Sequence, residues 1–213
     1  MEEVGGTGMK IVSGATLATA MLLVAVTSCS HEGNHSAATR SPAPSSPAPT
    51  TATTTTPPSD SEAASEAASA VVERYYATVD RLGQQPDAPL SNLASVATGV
   101  QLSAQHNLLE SQRRANEKQV GDTKVVKLDV QWVNLDNSDP SAGKVPTVQI
   151  DVCWDVSQVD VVDATGKSVV SKSRPNAGWT RLTVANYHYA ADPTAGWRVA
   201  TGQDLKKDPC VAS

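Results

Sequence analysis

The spacing of hydrophobic positions changes character several times along the chain. From Ile11 to Ser28 every residue is apolar or small and none is charged, with Lys10 just ahead. From Ser30 to Ser59 the chain is mostly Ser, Thr, Ala and Pro and has almost no large apolar residue. Beyond it, Ala64, Ala68, Val71, Val72, Tyr75, Val79 and Leu82 recur at helical spacing. Glu62, Glu66, Glu73, Arg74, Asp80 and Arg81 lie mostly off that stripe. Ser59-x-x-Glu62, directly after Pro57-Pro58, is a capping-box start, and Gly83 and Pro86 end the helix. A short helix is expected from Leu90 to Ala97, with Leu90, Leu93 and Val96 apolar. After Gly99 a third helix is expected to about Lys118, with Val100, Ala104, Leu108 and Ala115 on one side.

After Gly121 the period falls to 2. Val126, Leu128, Val130 and Trp132 alternate with Lys127, Asp129 and Gln131, and Val148, Ile150, Val152, Trp154 and Val156 alternate with Gln149, Asp151, Cys153 and Asp155. Both runs predict half-buried strands. Residues 159–170, turning at Thr165-Gly166, read as a hairpin. Residues 179–190 and 196–204 read as two more strands around the turn Asp192-Pro193-Thr194-Ala195-Gly196. Strands this close together, with no helices between them, imply an antiparallel sheet. The predicted fold class is α+β, with N-terminal helices packed on one face of the sheet, in one domain over residues 60–213.

The apolar run at residues 11–28 is densely hydrophobic only at Leu17 and from Met21 to Val26, which fits the core of a signal peptide better than a permanent span. Val26-Thr27-Ser28-Cys29 resembles a bacterial lipobox. The resemblance implies lipid transfer to the Cys29 sulfur, cleavage before Cys29, and anchoring by a diacylglycerol and a palmitate-type N-acyl chain. Together these exceed the two-signal threshold for stable anchoring. Residues 1–28 are then the signal peptide. Glu2 and Glu3 place negative charge where a signal peptide favours positive, so Met9-Lys10 is a more natural start than Met1.

Residues 29–59 read as a tether. Such a segment cannot bury enough apolar surface to offset its ordering entropy. Thirty residues of polyproline II reach roughly 90 Å, and a flexible coil averages about 30 Å. His31-Glu32-Gly33-Asn34-His35 matches the zinc-protease pattern HExxH letter for letter. That chemistry needs both histidines on one face of a rigid helix and a third ligand. Gly33 and Asn34 are poor helix formers and the motif runs into Pro-rich chain, so no metal site is expected there.

Three helices followed by a long antiparallel sheet resemble the cone-shaped NTF2-like fold. Leu93-Ala94-Ser95-Val96-Ala97-Thr98-Gly99, Asp151-Val152-Cys153-Trp154-Asp155-Val156-Ser157, Asp160-Val161-Val162-Asp163-Ala164-Thr165-Gly166 and Gly196-Trp197-Arg198-Val199 are similar to segments of actinobacterial secreted proteins and lipoproteins with an NTF2-like domain. The resemblance spans residues 70–213 and implies a curved sheet of four to six strands. The two strands the family usually places before its last helix are not evident, which departs from a closed pocket.

Net charge is −5 over 213 residues, which argues against nucleic acid as a partner, because phosphate binding needs a basic field. With Cys29 set aside for lipid, Cys153 and Cys210 remain, and a pair in an exported domain reads as one disulfide. Cys153 falls on the polar face of its strand, so the bond should staple the C-terminal tail across the outer side of the sheet. Asp151, Asp155, Asp160 and Asp163 read as a solvated strand face and its turn.

NTF2-like enzymes often hold a His, Asp or Tyr inside the cone for acid–base work. The candidates here are Tyr75, Tyr76, His106 and His188, with His188 alternating with Tyr187 and Tyr189. Trp132, Trp154, Trp179 and Trp197 are candidates to line an apolar pocket. No phosphate loop, nucleophile elbow or paired-carboxylate motif occurs, and no cofactor is expected. The reading is a lipid-anchored, non-enzymatic binding or scaffold domain on the outer face of the cell membrane. Its partner would be a cell-wall polymer, an envelope protein or a small apolar ligand. The alternatives are a tethered isomerase- or dehydratase-type enzyme and a phage-encoded surface-exclusion lipoprotein.

Overall fold

The computed structural model describes residues 57–210. These all belong to one compact unit, Thr53–Ser213; the other unit, Met1–Ala52, lies outside the described residues. The expected signal peptide, the expected lipidation site Cys29, the HExxH match and nearly all of the expected tether therefore fall outside them.

Helix α1, Asp60–Gln84, starts where the capping box predicts. The Ser59 hydroxyl accepts from the Glu62 amide (3.3 Å) and the Glu62 carboxylate accepts from the Ser59 amide (2.7 Å). Its buried side carries Ala64, Ala68, Val71, Val72, Tyr75 and Leu82. Asp80, read as off the stripe, is also buried. A 3₁₀ segment, Leu90–Ser95, replaces the predicted short helix, and Leu93 and Val96 still reach the core.

Helix α2 runs Gly99–Arg114 and stops short of Lys118, because Asn116 takes a left-handed conformation (φ 55°) that ends it. The side of α2 expected to face inward does not. Val100, Ala104, Leu108 and Ala115 are exposed, and Leu109 is the buried residue, with Gln101, Leu102 and Gln105 half-buried. Leu102 and Leu109 pack beneath α2 with Leu82 and Leu93, and this contact sets the rotation of the helix.

The strands are β1 (Lys118–Val120), β2 (Lys124–Asn134), β3 (Thr147–Asp155), β4 (Asp160–Val162), β5 (Ala177–Asn186) and β6 (Trp197–Leu205). The main sheet has the order β2-β3-β5-β6, antiparallel throughout, and β1 pairs with β4 in a small second sheet. Strand β1 was not predicted, and only three residues of the expected 159–170 hairpin form a strand, joined to its return by a single Val162–Ser168 bridge. Both helices pack against the main sheet, which curves without closing. The fold is α+β with helices on one face of a curved antiparallel sheet, consistent with the NTF2-like cone.

Two register shifts in β2, between Val125 and Lys127 and between Val130 and Trp132, break its simple alternation. Each bulge inserts a residue and flips the side chains that follow. The core therefore takes Val125, Leu128 and Val133, while Trp132 is half exposed. Strand β5 ends at Asn186, so Tyr187, His188 and Tyr189 lie in a turn rather than alternating along a strand. The inner faces of β3, β5 and β6 supply Val148, Ile150, Val152, Leu182, Val184 and Val199, which close with α1 around Trp197. The Trp197 indole donates to Pro193 O (2.8 Å) and meets Tyr189 edge-on at 6.0 Å. This packing fills one end of the cone. Among the described residues no helix is long and apolar enough to cross a membrane.

On the outer face, Asp151 is fully buried rather than solvated. Arg181 grips it from β5 through Nε (2.6 Å) and Nη2 (2.9 Å), and Lys207 Nζ reaches it from the tail (2.5 Å). Cys153 and Cys210 form a disulfide beside it, with Cα atoms 6.0 Å apart. The Lys207 ammonium sits 5.0 Å from the centre of the Trp179 ring, whose Nε1 donates to Asp208 O (3.2 Å).

Candidate functional site

The end of the cone away from Trp197 is open. Between α1, α2 and the facing ends of β3, β5 and β6 lies a cavity of about 520 Å³. Helical spacing brings Tyr75, Tyr76 and Val79 of α1 to its wall, and α2 adds Gln101, Gln105 and Leu108. Trp154 stands on the opposite side, at the end of β3.

The geometry of the wall follows from local sequence. Gly178 faces Trp154 across the β3–β5 ladder. A Cβ there would lie 2.6 Å from the indole Cζ2, so glycine lets the ring lie down over the neighbouring strand. The indole Nε1 donates to Thr180 Oγ1 (3.0 Å), and that hydroxyl donates to Asp204 (3.0 Å), fixing ring and carboxylate together. Gly202 similarly leaves room for the Gln101 amide, where a Cβ would come within 3.0 Å of Oε1. Gln101 Nε2 donates to the Tyr75 hydroxyl (2.5 Å), and the two tyrosine rings meet edge-on at 5.4 Å.

Burial dominates the phenols. It pushes Tyr75 up to about 12 against the side chains of Gln101 and Gln105, and raises Tyr76 further with help from Tyr75, Asp204 and Asp80. Both hydroxyls stay protonated at neutral pH and serve as hydrogen-bonding groups. Asp80 is fully engaged in structure: it accepts from the Thr123 amide (2.7 Å), Thr123 Oγ1 (2.8 Å) and Gln119 Nε2 (2.7 Å). Arg174 Nη2 donates to Val156 O (3.0 Å) and Val159 O (2.7 Å).

The sequence candidates scatter. Tyr75 and Tyr76 reach the cavity. His106 is exposed on α2, and His188 is exposed in its turn, beside a shallow depression of about 250 Å³ with Tyr187 and Arg198. Of the four tryptophans, Trp154 lines the cavity, Trp197 is core, Trp179 lies under the tail and Trp132 is exposed. The sequence pattern does not single out Gln101, Gln105, Thr180, Arg174 or Asp204, which also line the cavity. The glutamines sit on the side of α2 read as polar, and no local signal marks the others. Among the described residues no three His, Cys, Asp or Glu side chains converge as a metal site.

No family model matches the chain, and no curated protein matches it. Among solved structures, the chain is similar to the intermembrane-space region of the chloroplast protein ARC6. The identity is 17%, over 71% of this chain and 100% of that one, with a TM-score of 0.45. It is also similar to a periplasmic fragment of TraM, at 13% identity over 67% of this chain and 98% of that one, with a TM-score of 0.44.

Proposed function

We propose that this chain is a lipid-anchored envelope protein that presents a non-catalytic binding domain outside the cell membrane, with the open end of the cone as its binding site. The observation that carries the binding role is the cavity of about 520 Å³ walled by Tyr75, Tyr76 and Trp154. Concave sites of this size, mostly apolar with a few fixed polar groups, are the usual form of a small-molecule site. The raised phenols argue against Tyr75 or Tyr76 as a general base, because a group that stays protonated at neutral pH has no phenolate lone pair free to accept the proton. The lipobox-like Val26-Thr27-Ser28-Cys29 supports the anchor. The Cys153–Cys210 bond supports an oxidising compartment, where disulfides persist.

Two measurements on the chain purified from membranes test the reading. Mass spectrometry of the mature N-terminus should find an acylated Cys29, and Cys29→Ala should release the protein or leave it unprocessed. An unmodified N-terminus at any other residue refutes the anchor. Native mass spectrometry should find a small molecule bound to the wild type and absent from Leu108→Arg, which plugs the cavity from an exposed rim position. An empty wild type refutes the binding site.

A further inference from the structure

Two polar groups of the cavity wall are buried without a partner, one an acceptor and one a donor. Gln105 Oε1 is buried and receives no hydrogen bond. Asp204, exposed at the rim, accepts from Thr180 Oγ1, and no cation pairs with it among the described residues. Its charge is close enough to Tyr76 to act on the phenol. Facing these groups are three aromatic side chains held in place by Gln101, Thr180 and the space over Gly178. Aromatic faces attract cations through the ring quadrupole, most strongly when the site is partly dry. The one guanidinium among the lining residues, Arg174, uses Nη2 on two backbone carbonyls, and its Nε is buried without an acceptor.

We infer that the open end of the cone binds a small, flat organic amine, with its ring against Trp154 and Tyr76 and its ammonium directed to Gln105 Oε1 and Asp204. This rests on the cavity being a binding site and adds the chemical class of the ligand. The apolar walls favour the ring. The rim carboxylate, which no cation among the described residues pairs with, and the unpartnered amide oxygen favour a positively charged donor, with Arg174 Nε as the competing anion-favouring group that the test addresses.

The test holds the ring constant and varies the charge. The full chain in lipid nanodiscs is titrated calorimetrically with tryptamine, indole and indole-3-acetate, with empty nanodiscs as blank. Tryptamine should bind at least about tenfold more tightly than indole, and indole-3-acetate more weakly than indole. Asp204→Asn, which keeps an oxygen to accept from Thr180 Oγ1 and removes the charge, should bring tryptamine to within about threefold of indole. Gln105→Leu should act in the same direction. If indole-3-acetate matches or exceeds tryptamine, Arg174 sets the polarity of the site; the amine is then wrong, while the binding cavity stands. If none of the three binds at millimolar concentration the amine is equally overturned, and native mass spectrometry of the membrane-purified chain decides the cavity separately.

Discussion

Asp151 is held where an isolated carboxylate would be costly. Its side chain is fully buried and is answered by a bidentate Arg181 and by Lys207, both partly exposed. The hydrogen bond from Arg181 lowers its pKa most, Lys207 adds to this, and burial opposes both. Asp151→Asn should cost about 2–3 kcal/mol in urea unfolding at pH 7, because two cations lose their counter-charge. A carboxylate lowered in the folded state stabilises fully above its unfolded value, near 4. That contribution fades as pH falls from there toward the lowered native value. The gap between wild type and Asp151→Asn should therefore be constant above about pH 5 and narrow below about pH 4; a gap independent of pH would refute the ion-pair account. Nothing in the alternation of β3 distinguishes Asp151 from Asp155. Burial came from Arg181 and the tail, which meet it only in the folded chain.

At the scale of elements, the two helices differ in how they begin. The Ser59 side chain caps α1, while Thr98 makes no side-chain hydrogen bond at the start of α2. Ser59→Ala should lower stability by about 1 kcal/mol and Thr98→Ala by only a few tenths, read as shifts in the urea midpoint at unchanged slope. Equal losses would show that the box contributes nothing of its own. The same contrast explains why α1 was legible and α2 was not. The stripe of α1 is long, continuous and bounded by polar residues. In α2 two apolar sides compete, Val100–Leu108 against Leu102–Leu109, and the contact with Leu82 and Leu93 chooses between them. In β2 the alternation was real but its phase was not constant, because bulges are inserted by pairing with β3 and leave little trace in composition.

At the scale of the whole molecule, the disulfide ties the tail to the middle of the sheet across 57 residues. In the chain-entropy model a closure of that length stabilises by roughly 4 kcal/mol. Cys210→Ser should lower the melting temperature clearly, and mild reduction of the wild type should make the tail after Leu205 sensitive to protease. A tail that stays protected after reduction would mean that Lys207 and Trp179 hold it without the bond. Period, caps and turn residues are local properties, so the sequence by itself determined helix α1, the order of helices before strands, the helix-covered antiparallel sheet and the side of β3 that carries Cys153. The rotation of α2, the pairing of β1 with β4, the burial of Asp151 and the assembly of Tyr75, Tyr76, Gln105, Trp154 and Asp204 around one cavity were decided only by tertiary structure. Each depends on contacts between segments far apart in the chain, and no window along the sequence contains both partners.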